Sequence, residues 1–168
     1  MKELSEIITF LQEHGITDVE SLEAFISERN TTVNSKKKEL DAQTAEMKDL
    51  RKLPDDWDTY KRLKPIADNL RSIKFTKAKE KYKAEHKAEL NQFYAANRLL
   101  TKYFPDGKYN SKAIQAQYAE LEQQHDADYT AFKDLREETQ ILWKIKSHID
   151  AALKNREKEI THTHEQSI

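Results

Sequence analysis

The stretch from Asn110 to about Lys158 most constrains the fold of this chain. Seam residues recur there at alternating spacings of four and three, which is typical of a heptad helix, and no glycine or proline interrupts them. At about 1.5 Å per residue this helix would be roughly 70 Å long, so it needs a partner of similar length. The predicted seam consists of Ile114, Tyr118, Leu121, His125, Asp128, Phe132, Leu135, Thr139, Leu142, Lys146, Ile149 and Leu153.

A second seam provides that partner. One set of its seam positions, spaced seven residues apart, is apolar throughout. The other set, which lies between these positions, is apolar at its two ends and polar in its middle. Pro54 predicts that this helix ends or bends near Leu53. The sequence therefore predicts an all-α fold in which a long antiparallel coiled coil pairs about residues 18–53 with 111–158, with shorter helices packed at one end. The second seam comprises Val19, Leu22, Ile26, Arg29, Val33, Lys36, Leu40, Gln43, Met47 and Leu50.

Helix-boundary signals divide the rest of the chain. An apolar stripe predicts a first helix capped by Gly15, and Thr17 with Glu20 matches a capping box for the second. Three further helices are predicted to start at Asp55-Asp56, at Thr76 and at Asn110 or Ser111. Apolar spacing from Leu90 to Phe104 predicts another, better-packed helix between the last two of these. We expect one elongated helical domain, residues 1–160, and a frayed polar tail, residues 161–168. The stripe contains Leu4, Ile7, Ile8 and Leu11.

Composition excludes several classes of protein. Charged residues make up 35% of the chain, and the mean hydropathy is -0.95. Because the apolar residues are periodic, this charge is typical of the solvated faces of long helices. There is no cysteine, which excludes a disulfide framework and a thiolate metal site. No leader-like or membrane-spanning run is recognisable, so we expect a soluble, cytoplasmic protein without a membrane partner.

The net charge of -1 conceals two oppositely charged blocks. Residues 1–28 contain seven acids and one base, whereas residues 61–87 contain ten bases and three acids. Three interpretations of the basic block remain open: a solvated face balanced by the acidic first helix, a nucleic-acid site with Phe75 and Tyr82 as stacking rings, or a site for an acidic protein. The candidate nucleic-acid-binding residues are Arg71, Lys74, Lys77, Lys79, Lys81, Lys83 and Lys87.

No catalytic signature is present. The chain lacks a glycine-rich phosphate loop, a zinc-binding His-Glu-x-x-His helix and a nucleophile elbow, so we predict that it is not an enzyme and uses no cofactor. His162 and His164 are predicted to be solvated rather than metal ligands, because no third ligand adjoins them. His125, at a seam position, is predicted to form a hydrogen bond across the helix pair.

Several stretches, taken together in their order and spacing, resemble the helical C-terminal region of relaxases, the mobilization nucleases of plasmids and integrative elements from Gram-positive gut bacteria. The resemblance covers roughly residues 7–153. Its most specific features are the Gly-Ile-Thr-Asp entry into a helix and the Ala-Glu-His stretch before another. The stretches are residues 11–18 followed by Leu22, residues 60–65, residues 84–90 and residues 117–121.

The resemblance implies a module of a mobile genetic element. The nuclease domain of relaxases, with its tyrosine nucleophile and histidine cluster, has no counterpart here, so no catalytic residue is carried over. The chain begins with Met1, and we expect a free-standing gene product. The leading interpretation is a non-enzymatic module that binds DNA, or a partner protein of the transfer machinery, during plasmid mobilization or conjugation.

Two alternatives come from other classes of function. The chain could be an inhibitor of a host defence nuclease, an anti-CRISPR protein, whose acidic face occupies a basic nucleic-acid channel. It could also form a homodimer through seam positions that extend beyond the internal partner. For the inhibitor, residues 117–140 supply seven acids against two bases, and the candidate contacts are Glu120, Glu122, Asp126 and Asp128.

Overall fold

The computed structural model describes the backbone of residues 2–167 and the side chains of residues 5–167. In this part of the chain all regular structure is helical, which confirms the all-α prediction. None of the described helices is long and apolar enough to cross a bilayer. The helices are α1 (Lys2–Glu13), α2 (Val19–Ser72), α3 (Thr76–Glu85), α4 (Lys87–Tyr103) and α5 (Ser111–Glu165).

The chain divides into two compact units, and both α2 and α5 contribute to each of them. Unit 1 comprises residues up to Leu40 and from Asp126 onward, and unit 2 comprises Asp41–His125. In unit 1, Glu23 forms an ion pair with Lys146, and Arg29 forms one with Glu138. Contacts therefore run in opposite directions along α2 and α5 within this unit. Its buried core consists of Ile16, Leu22, Ile26 and Leu142.

Unit 2 has two hydrophobic clusters along α2. The first joins α2 to α4 and α5 through the buried residues Leu50, Leu53, Leu100 and Ile114. The second joins α2 to α4 through Leu63, Ala67, Leu70, Leu90 and Phe93, with Tyr82 of α3 packed against it. The short helices α3 and α4 thus pack against residues 50–70 of α2.

Burial follows both predicted seams. Every α2 seam position from Val19 to Leu50 is buried or half-buried, as is every α5 seam position from Ile114 to Ile149. Leu153 is the exception, with 46% of its surface exposed. The periodicity thus identified the inward faces of both helices, whereas the coiled-coil geometry itself and the homodimer stay predictions.

The prediction that a helix ends near Leu53 and another begins at Asp55-Asp56 is wrong, because α2 continues through Pro54 and Pro65 to Ser72. A proline inside a helix cannot donate a hydrogen bond to the carbonyl four residues earlier. Both proline rings are exposed, so the missing bond lies on the solvent side. Leu53 is fully buried beside Pro54, and this burial offsets the cost of the proline.

The start of α2 differs from the sequence interpretation, whereas the start of α5 agrees with it. The start of α2 is capped by Asp18, whose Oδ1 accepts a hydrogen bond from the Ser21 backbone N–H at 2.6 Å, while Ser21 Oγ accepts one from the Asp18 N–H. This reciprocal pair replaces the predicted Thr17 and Glu20 box. Asn110 caps α5 as predicted, because its Oδ1 accepts hydrogen bonds from the N–H groups of Lys112 and Ala113.

The end of the first helix agrees with the sequence prediction, whereas the end of the last helix does not. Gly15 has a φ of 65°, which suits the predicted end of the first helix. The helix α5 continues past Lys158 to Glu165, so residues 161–165 are helical and not frayed. Leu4, a predicted member of the first apolar stripe, has its side chain outside the described residues, and Met1 and Ile168 lie outside them entirely.

Replacing Pro54 with alanine should raise the stability of the protein. Alanine restores the hydrogen bond to the Leu50 carbonyl and removes the clash of the ring, a gain of about 1–3 kcal/mol. The urea midpoint of unfolding should increase while its slope stays constant. A lower midpoint would mean that the helix needs an irregular turn at this position.

Candidate nucleic-acid interface

The basic segment, residues 71–87, spans the end of α2, a three-residue linker, α3 and the first residue of α4. Phe75 precedes α3 in an extended conformation and makes no side-chain cap. Thr76, predicted to be the cap, is instead the first residue of α3. The segment is therefore a helix–linker–helix corner rather than one continuous basic helix.

The two aromatic residues of the basic segment differ in accessibility. Tyr82 is half-buried, packs against the Leu63 cluster, and donates a hydrogen bond from its hydroxyl to the Ile66 carbonyl at 3.2 Å. Its ring is thus part of the packing between α3 and α2. Phe75 is 80% exposed, an unusual position for a large apolar side chain. Of the two predicted stacking rings, only Phe75 is available to a ligand.

Some cations of the segment have acidic partners close by in sequence. Arg71 lies 4.0 Å from Asp68, Lys81 lies 3.9 Å from Glu85, and Lys83 lies 3.0 Å from Glu80. Each of these pairs is exposed and lies within a single helix. Such an ion pair contributes little to the free energy of folding, and its lysine or arginine can readily change partners. Among the described residues, the remaining cations of the segment form no ion pair: Lys74, Lys77, Lys79 and Lys87.

The lysines of α3 surround the helix instead of lining one face. Lys77 and Lys81 are four residues apart and share one side, and Lys79 and Lys83 share another. The Tyr82 side of the helix faces the protein. A flexible strand can bend around the helix, so its phosphates could contact lysines on several sides. Insertion of α3 into the groove of a duplex would suit this distribution less well.

The structure places the four predicted protein-contact acids along α5. Glu120 and Glu122 are exposed members of unit 2 and form no ion pair among the described residues, while Asp126 is exposed and Asp128 half-buried in unit 1. Residues two apart on a helix point in different directions. The four carboxylates therefore do not form one face.

The histidines serve structural roles or lie in solvent. Nε2 of His125 lies 3.4 Å from Oγ1 of Thr44 on α2, as the predicted hydrogen bond across the helix pair requires. His162 pairs only loosely with Glu165, at 3.8 Å, and is exposed. Within residues 2–167 no three His, Asp or Glu side chains are grouped closely enough to hold a metal ion.

Sequence reasoning missed an aromatic cavity in unit 2. The Trp57 ring lies parallel to the Tyr109 ring with centroids 4.8 Å apart, and to the Tyr60 ring with centroids 5.7 Å apart. The three rings border an open cavity of about 360 Å³. Helical spacing alone places residues 57 and 60 on one side of their helix. No spacing in the sequence links them to Tyr109, which follows α4.

Comparison with known proteins adds no relative. No protein-family model matches the chain, and neither a curated protein nor a solved structure is detectably similar to it.

Proposed function

We propose that this chain is a non-enzymatic helical module of a mobile genetic element that binds DNA through the basic segment during plasmid mobilization or conjugative transfer, in the cytoplasm. One observation carries the DNA-binding part of the proposal. Phe75 is 80% exposed, and Lys74, Lys77 and Lys79, all within four residues of it in the sequence, form no ion pair among the described residues. The role in transfer rests on the resemblance to relaxase C-terminal regions.

Single-stranded DNA is the form that this arrangement favours. Proteins that bind single strands combine a positively charged path for the backbone with aromatic side chains on which bases stack. The exposed Lys77, Lys81 and Lys83 and the half-buried Lys79 supply the charge around α3, and Phe75 supplies a ring at the helix start. A duplex hides the base faces, so it could use only the charges of the segment.

Fluorescence anisotropy of labelled single- and double-stranded DNA, titrated at 50 and 200 mM salt, tests the proposal. We expect micromolar binding of the single strand at the lower salt concentration and weaker binding of the duplex. With about three phosphates contacted, log K should fall with log salt at a slope of roughly -2. Absence of binding at the lower salt concentration would refute DNA binding.

Inhibition of a host defence nuclease, as by an anti-CRISPR protein, is a second candidate function. The observation that favours it is the pair Glu120 and Glu122, which are exposed on α5 and form no ion pair within the part of the chain that the structure describes. Carboxylates presented in this way can occupy the basic channel of an RNA-guided nuclease and compete with its nucleic acid. This function requires a protein partner and no DNA binding by the chain itself.

A cleavage assay with a purified RNA-guided nuclease tests this candidate. Inhibition should weaken at least about fivefold in the E120Q/E122Q double variant, because two charge contacts are lost. The E157Q/E159Q variant is a matched control, since these acids are also exposed and two apart on α5. Full cleavage in the presence of excess wild-type protein would exclude inhibition of that nuclease.

A further inference from the structure

The aromatic cavity of unit 2 presents hydrogen-bonding groups that the protein does not use. Asn97 and Thr101 of α4 line it beside Tyr109, and none of these three side chains donates or accepts a hydrogen bond among the described residues. Burial raises the pKa of the Tyr109 hydroxyl, and Asp58 adds to this effect. A tyrosine hydroxyl is protonated at neutral pH even without this shift, so it can donate a hydrogen bond.

Two lysines border the same cavity. Nζ of Lys61 lies 3.1 Å from a carboxylate oxygen of Asp58, and Nζ of Lys64 lies 2.6 Å from one of Asp68. All four side chains are about half or more exposed, so these pairs can open at little cost when an anion approaches. The cavity thus combines aromatic rings, which also stack on one another, with neutral polar groups and cations at its border.

This combination matches the chemistry of a nucleotide. A base has two flat apolar faces and an edge of donors and acceptors, and its phosphate is an anion. Proteins recognise unpaired bases with aromatic faces and amide side chains, and an asparagine amide can pair with both N6 and N7 of adenine. A volume of about 360 Å³ is at the lower end of small-molecule sites and suits one nucleotide, not a helix.

A row of cations connects the cavity to the basic segment. Lys61, Lys64 and Arg71 are separated by three and seven residues, so they lie on one face of α2. This row extends about 15 Å along the helix, and it leads from the aromatic rings to the linker that contains Lys74 and Phe75. Asp68 lies in the row and pairs with Lys64 and Arg71, which makes it a partner that phosphates would displace.

We propose that the aromatic cavity takes one unpaired base of a single DNA strand, with Asn97 on the edge of the base and Lys61 and Lys64 on the adjoining phosphates. The inference rests on the proposed DNA binding and specifies where a base is recognised. The remainder of the strand would follow the cation row toward the basic segment. Adenine is the base that Asn97 fits best.

The test uses Trp57 as a reporter. Trp57 and Trp143 are the two tryptophans of the chain, and Trp143 is 47% exposed, so W143F leaves Trp57 as the sole tryptophan at little structural cost. The probes are two thymine 12-mers, one with a central adenine and one with a central abasic site. We expect the adenine strand to quench Trp57 emission and to bind at least about fivefold more tightly than the abasic strand.

An Asn97→Ala variant in the W143F background should remove most of this preference for adenine over the abasic site. Asn91→Ala is the matched control, because Asn91 is an exposed asparagine on the same helix. Circular dichroism of both variants would report whether folding is preserved, and Thr101→Val provides a second, isosteric change in the cavity. We expect Asn91→Ala to keep the wild-type preference.

Three results would count against the inference, and the first two can be told apart. If both strands bind with equal affinity and leave Trp57 emission unchanged, the DNA-binding proposal survives and the cavity does not hold a base. If neither strand binds at 50 mM salt, the proposed function fails and the inference fails with it. Equal effects of Asn97→Ala and Asn91→Ala on the preference would also count against a role for the cavity.

Discussion

At 0.1 M salt, single-stranded DNA should bind about a hundredfold more weakly after glutamine replaces four lysines of the basic segment, Lys74, Lys77, Lys79 and Lys81. Each phosphate contact to a single strand releases about 0.7 counterion and contributes roughly a factor of five at this salt concentration. Lys81 already has Glu85 as a partner, so three full contacts are counted. The salt slope should decrease in magnitude by about 2.

A matched variant separates local from overall charge effects. Glutamine at Lys37, Lys38, Lys112 and Lys133 removes the same total charge from exposed positions outside the basic segment. We expect this control to weaken binding by less than about threefold, since distant exposed charges are screened beyond roughly 10 Å at 0.1 M salt. Equal losses in the two variants, measured by anisotropy, would refute a localised DNA site.

Truncation of Leu53 to alanine should produce one of the largest losses of stability in the chain. Leu53 is 0% exposed, and its cluster joins α2, α4 and α5 in unit 2. Removing a leucine side chain from such a site leaves a cavity and costs about 2–5 kcal/mol. That is a large fraction of the 5–15 kcal/mol that is typical of whole domains, so the urea midpoint of unfolding should decrease strongly.

Leu153→Ala is the control for this experiment. The chemical change is identical, but Leu153 is 46% exposed at the end of its seam, so the free energy of unfolding should fall by less than about 1 kcal/mol. Urea unfolding followed by circular dichroism gives both values. A similar midpoint shift for the two variants would show that the Leu53 cluster is not a stabilising core.

The DNA-binding candidates illustrate how far sequence reasoning reached toward a site. The block of lysines was visible as composition, and their spacing already indicated that they surround a helix. The sequence did not show which of the aromatic side chains is accessible to solvent. Phe75 and Tyr82 are seven residues apart and similar in chemistry, yet one is solvent-exposed and the other packs on α2. That difference depends on where the α2–α3 linker turns, which local sequence does not encode.

The sequence by itself determined the helical class and the inward faces of the two long helices. The seam residues from Val19 to Leu50 and from Ile114 to Ile149 are buried or half-buried. This burial follows from periodicity, because a spacing averaging 3.5 residues places side chains on one side of a helix. The caps Gly15 and Asn110 were also predictable, since a positive φ and free backbone N–H groups are satisfied locally.

Only the tertiary structure decided what depends on residues distant in sequence. The helix α2 continues through Pro54, a residue that locally disfavours a helix, because burial of the adjacent Leu53 is favourable enough to offset a missing hydrogen bond. The cavity that joins Trp57, Asn97 and Tyr109 forms where α2, α4 and the chain before α5 meet. Local propensity is a property of neighbours along the chain, whereas this cavity is a property of neighbours in space.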